Sequence, residues 1–182
     1  CTPLLSSSTP PPAAAASNSV DPNVLARLLS APRIAMAAAA LRAQLNAHIA
    51  SMYATGSVDA YFQQLQSMDE GSAATGFVAE VINIFLNDAD RIINHIAGLL
   101  NQPEVDFYKV DALVHQLIGS SSTVGAKKVK LACIQFRQSY VAKSKERCLM
   151  ALTLLRNEFC DVRNQLQTMM QLERQIAALS PM

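Results

Sequence analysis

From Met36 to the C-terminus, apolar residues recur every three or four positions, the spacing of a helix face that must be buried. Leu41, Leu45, Ile49 and Met52 form one such stripe, and Gly56 is placed to end the helix that carries it. A short second helix has Val58, Phe62 and Leu65 on one side, and the stretch from Asp69 to Gly76 reads as a loop. A long third helix is expected from about Phe77 to Leu100, with Phe77, Val81, Ile84, Phe85, Ile92, Ile96 and Leu99 as its stripe. Asn101, Gln102 and Pro103 stop it. Asp106 suits the N-cap of a fourth helix, and Val105 and Val110 have the spacing of a hydrophobic staple. That helix passes through His115 and ends at Gly125. A fifth is expected over about 126–141. The last begins near Ser144 and aligns Leu152, Leu155, Phe159, Val162, Leu166, Met169 and Ile176. No segment sustains period-two alternation, and no hairpin signal appears. Long amphipathic helices joined by short loops pack as antiparallel neighbours, so the reading is an all-α up-and-down bundle.

Residues 1–35 break this pattern. They hold six of the eight prolines, a serine cluster, an alanine run and only three charges, Asp21, Arg27 and Arg33. Such a segment buries too little apolar surface to offset its ordering entropy, and it reads as a disordered, low-complexity extension. Met36 would make a natural start. A targeting peptide rich in Ser, Ala and Arg is the rival reading, disfavoured because no amphipathic arginine face stands out. The folded domain is therefore placed at residues 37–179.

Composition narrows the function. Half of the 182 residues are apolar (51%) and 16% are charged, a globular balance. A net charge of +1 is far from the basic excess that phosphate-backbone binding needs, so no nucleic-acid partner is expected. Cys1, Cys133, Cys148 and Cys160 show no CxxC spacing, which points to reduced cysteines and no structural zinc. The longest strictly apolar run, Ile34 to Leu41, is short of a membrane span and flanked by arginines, so no membrane association is expected.

The segment from Val110 to Ser122 holds most of the chemistry. Val110, Leu113, Val114, Leu117 and Val124 form the buried stripe. Asp111, His115, Ile118, Gly119 and Ser122 fall on the other side, because residues three and four apart are neighbours on a helix. His115 is thus expected to face solvent. A neutral, exposed imidazole keeps one ring nitrogen with a free lone pair, which a histidine nucleophile needs. Gly119 lies one turn on, where a missing side chain would let a partner approach. Glycine there costs about 1 kcal/mol relative to alanine, unless it merely serves a fraying end or a tight helix crossing.

The run His115-Gln116-Leu117-x-Gly119-Ser120-Ser121-x-x-Val124-Gly125-Ala126 resembles the active-site motif of the plant histidine-containing phosphotransfer proteins. Phe62 to Gln66, Asp90 to Ile93, Cys133 to Arg137, and Leu172, Glu173, Gln175 and Ile176 are also similar to that family, which covers the chain from about residue 37 onward. The resemblance implies six helices with an antiparallel four-helix bundle at the core. It implies a phosphocarrier, not an autonomous kinase. His115 would accept a phosphoryl group from the receiver aspartate of a hybrid sensor kinase and pass it to the receiver of a response regulator. It further implies a monomer in cytokinin signalling, shared between cytoplasm and nucleus, with Gln116 and Ser122 in the phosphoryl-site environment. The magnesium used in transfer belongs to the receiver, so no cofactor or metal of this chain's own is expected.

One position departs from the family. Lysine usually stands three residues after the histidine, and this chain has Ile118. Losing an exposed charge pair costs about 0.2–1 kcal/mol, so transfer should be weakened and not abolished. The alternative is a degenerate relative that binds receivers and competes without efficient relay. A plain helical scaffold is a third reading. An ATP-dependent kinase is excluded by the lack of any Gly-rich nucleotide loop. Lys127 and Lys128 would attract an acidic receiver, or are ordinary wet surface. Phe62 and Leu65 would add apolar docking area, or are core contacts. His48 and His95 read as packing or boundary residues.

Overall fold

The computed structural model describes residues 21–70 and 76–179. Six helices follow one another, with no strand among the described residues: α1 (Pro22–Ala54), α2 (Ala60–Glu70), α3 (Phe77–Leu100), α4 (Phe107–Val124), α5 (Lys127–Val141) and α6 (Lys145–Leu179). The chain divides into two units, Cys1–Met36 and Ala37–Met182.

The first unit corrects an expectation. Residues 22–35, read from composition as disordered, are helical and exposed along their length. Pro22 occupies the first helical position, where a missing N–H has no partner to lose, and leucine and alanine follow it. Residues 1–20 lie outside the described residues. By length and composition alone, α1 is also long and apolar enough to cross a bilayer, with a mean hydropathy of 1.5 over an 18-residue stretch. A search for an uninterrupted apolar run passes over it, because arginines are spaced through the helix.

In the second unit, α3 packs against α4 and α6, α4 against α5, and α5 against α6, so these four helices close a ring. Successive members are joined by short loops, which makes them antiparallel. Ile82, Ile92 and Ile96 of α3 meet Val114 and Leu117 of α4, Phe136 of α5, and Leu155, Leu166 and Met169 of α6 in one buried cluster. Each such side chain contributes about 1.5–3 kcal/mol on burial, so ring closure and not local propensity holds the bundle. Met52 is fully buried, and His48 Nε2 donates to the Gln165 carbonyl on α6 at 2.7 Å.

The stripe of α3 is rotated from the one expected. Val78, Ile82, Phe85, Leu86, Ala89, Ile92, Ile93, Ile96 and Leu100 are buried, whereas Phe77 and Ile84 are 44% and 55% exposed. The start of this helix is apolar on more than one side, so periodicity alone leaves the phase open and packing sets it. The loop expected over 69–76 falls partly outside the described residues, and Asp69 is still in α2.

Two ends of α4 fix its position. Asp106 Oδ1 accepts from the Lys109 N–H at 3.2 Å, capping the first turn. Gly125 closes the last turn with φ 73°. A Cβ there would lie 2.3 Å from Phe62 N and 2.6 Å from Asp59 Oδ1, so the start of α2 sits directly on this glycine. The Asp59 N–H donates to the Gly125 carbonyl at 3.1 Å. Phe62 (1% exposed) and Leu65 (7%) are consequently core residues and offer no docking area, which corrects the role considered for them.

Candidate functional site

Helix α4 has one face for the core and one for solvent. Val110, Val114, Leu117, Ser121 and Val124 are buried. Tyr108, Ala112, His115, Gln116 and Gly119 are exposed along the opposite side. Between these faces Asp111, Ile118 and Ser122 are half-buried. The expected side for His115 is thus the observed one, and no hydrogen bond or ion pair engages its ring among the described residues.

Gly119 distinguishes the two readings of its role. A Cβ built on it meets nothing within 4 Å, so no neighbouring helix requires the glycine. Its backbone φ is not in the left-handed region either. The cost of about 1 kcal/mol is therefore not recovered inside this chain. What the glycine does is leave open space one turn from His115.

The flanking positions are tied down. Ser122 Oγ donates to the Ile118 carbonyl at 2.7 Å, and Thr123 Oγ1 to the Gly119 carbonyl at 3.0 Å. Ile118 packs against the core and brings no charge to the site. Cations come from elsewhere. Asp111, one turn before His115, accepts from the Tyr140 hydroxyl at 2.5 Å and lies 3.6 Å from Arg137 Nε. The Asp111 hydrogen bond, with burial adding, raises the Tyr140 phenol above its ordinary pKa.

Arg137 and Tyr140 are the residues that sequence reasoning missed. Both belong to α5, and Tyr140 is 29 positions from Asp111, too far for any spacing rule. The one available signal was the resemblance carried by Cys133 to Arg137, which assigns no role to the arginine. Lys127 (exposed) and Lys128 (half-buried) open α5, beyond the far end of α4. The stretch from His115 to that end rises about 14 Å along the axis, so these lysines supply field at a distance and not contact. Among the described residues, no group of three or more His, Cys, Asp or Glu is placed to hold a metal.

Comparison with known proteins settles the lineage. The Hpt domain family matches residues 80–179, more than half of the chain. Histidine-containing phosphotransfer protein 2 of rice is 59% identical over 146 residues, 80% of this chain and 98% of that protein. The chain belongs to the histidine-containing phosphotransfer family. A relative from Arabidopsis thaliana, histidine-containing phosphotransfer protein 1, is 42% identical over 128 residues, 70% of this chain and 82% of its own length. The crystal structure of a maize histidine-containing phosphotransfer protein superposes with a TM-score of 0.72 at 60% identity, covering 75% of this chain and 99% of that one. The helical bundle is therefore the phosphotransfer fold, and the chain is a mediator of phosphorelay between two-component proteins.

Proposed function

We propose that His115 is the phosphoryl acceptor of this relay. A neutral ring nitrogen attacks the phosphorus of an aspartyl phosphate on a receiver domain. The N–P bond forms as the P–O bond breaks, and the aspartate leaves as a carboxylate. In the second transfer a receiver aspartate attacks the phosphohistidine, the N–P bond breaks, and neutral imidazole is regenerated. The observation that carries the reading is an exposed, unengaged His115 with open space one turn away at Gly119.

The electrostatics support a modified version of the chemistry. Asp111 alone would repel an incoming phosphoryl dianion, and Ile118 offers nothing against it. Arg137 and the Tyr140 hydroxyl both meet Asp111 Oδ1, so the guanidinium offsets the carboxylate and stands beside the path of an incoming phosphate. We assign Arg137 the positive charge that a lysine at position 118 would bring. Partners are receiver domains of hybrid sensor kinases and response regulators, met by a monomer in cytoplasm and nucleus within cytokinin signalling. The chain carries phosphate and does not make it from ATP.

The test is incubation with a phosphorylated receiver. Acid-labile, base-stable phosphate should appear on the wild-type protein and be absent from His115→Gln. The second reading, a receiver-binding competitor, rests on Ile118 alone. Tight receiver binding without any phosphate on His115 would establish that one instead.

A further inference from the structure

The helical part of the first unit has a pattern the bundle does not use. Over residues 22–36, Val24, Leu25, Leu28, Leu29, Pro32, Ala35 and Met36 fall within about 140° of helical arc. The remainder holds the polar Asn23, Arg27, Ser30 and Arg33, with Pro22, Ala26, Ala31 and Ile34 among them. The large apolar residues are open to solvent: Leu28 is 64%, Leu29 65% and Met36 74% exposed. This stripe is not the core stripe continued. Carried back at helical spacing, Leu41, Leu45, Ile49 and Met52 lead through Ala38, Ile34 and Ala31 to Arg27. The two halves of α1 thus carry their apolar residues in different registers, and among the described residues those of the first half are exposed.

Charge says what would cover it. Between Asn23 and Val58 the acid count is zero, while Arg27, Arg33 and Arg42 are all present, and no ion pair engages them among the described residues. Folded as a helix, residues 22–36 do set a leucine-rich face beside an arginine-bearing one, which the sequence alone did not make stand out. Such a pair is complementary to an anionic lipid surface, whose acyl boundary takes the leucines and whose headgroups take the arginines. Spanning the bilayer is the poorer solution, despite sufficient length, because Arg27 and Arg33 would enter the hydrocarbon.

We propose that residues 22–36 form an interfacial helix that lies on an anionic membrane and tethers the phosphotransfer domain there. This proposal departs from the expectation of no membrane association, which was drawn from the short uninterrupted apolar run.

The experiment is co-sedimentation of the full chain with vesicles of equal parts phosphatidylcholine and phosphatidylglycerol, beside pure phosphatidylcholine vesicles. Binding is expected to the anionic vesicles only, and to weaken as salt rises. Arg27→Gln/Arg33→Gln should lower the partition coefficient about twenty-five-fold. Leu28→Glu/Leu29→Glu should lower it by about a hundredfold or more. Both pairs are exposed, and an unchanged helical circular dichroism spectrum shows that the fold is kept. Four outcomes overturn the proposal. These are no sedimentation with anionic vesicles, equal binding to neutral ones, retention after alkaline carbonate washing, which marks a spanning helix, and a dimer in solution that the leucine variant dissolves, which makes a second copy the occupant. None of them bears on phosphoryl transfer to His115, which is read separately.

Discussion

Two glycines, Gly119 within α4 and Gly125 at its C-cap, look alike in the sequence and differ in what the fold asks of them. Gly125 has φ 73°, and Phe62 N would lie 2.3 Å from any Cβ placed on it. Both its conformation and its neighbours require glycine. Gly119 has an ordinary helical backbone and nothing within 4 Å of the same test atom. A residue that the fold demands explains itself. One that costs about 1 kcal/mol and receives no packing in return points to something outside the chain. The end of α4 is therefore architecture, and its exposed middle is a place for a partner.

The comparison can be broken most severely at the histidine. His115→Gln should abolish phosphate uptake from a receiver while changing unfolding free energy by less than about 0.5 kcal/mol, because the ring is exposed and unengaged. A large loss of stability would mean that His115 belongs to the scaffold after all. At the architectural end, Gly125→Ala combines left-handed strain with a clash and should cost about 2–4 kcal/mol. Its denaturation midpoint is the measurement, and an unchanged midpoint removes the contrast between the glycines.

Smaller effects sharpen the picture around the site. Ile118→Lys should speed transfer by up to about fivefold and Arg137→Gln should slow it by a similar factor, the range of one partly exposed charge interaction. Equal rates for wild type and Ile118→Lys would show that position 118 does not limit transfer. Gly119→Ala should raise stability by up to about 1 kcal/mol and weaken receiver binding, seen as a higher half-saturating receiver concentration. If binding is unaffected, the open space has no visitor.

The smallest expected effect concerns Tyr140. Its phenol is raised in the folded state, so the unfolded chain ionises first. The stability this adds is complete below about pH 10 and is lost as pH climbs through the folded value. Tyr140→Phe should flatten that alkaline limb in thermal melts, and an unaltered limb would detach Tyr140 from Asp111.

Much of this was legible before any coordinates. Helix α4 with its Asp106 cap and Gly125 stop is a matter of local chemistry, and the alternation of Val110, Val114 and Leu117 with His115 and Gly119 follows from 3.6 residues per turn. The phase of α3 was misjudged because Phe77, Val81 and Ile84 are as apolar as the residues that were buried instead. Residues 22–35 were misjudged because proline and serine counts ignore their order: Pro22 sits at the first helical position, and Pro32 is accommodated inside the helix.

By itself the sequence determined the helical class, the boundaries of α4 and the solvent-facing side on which His115 stands, since all three depend on neighbours within a turn or two. Only the tertiary structure decided that Phe62 is core and not docking surface, that Gly119 has no packing role, and that Arg137 and Tyr140 come to Asp111. Those facts depend on which helices touch. Contacts between residues remote in the chain leave no periodic trace for a single sequence to show.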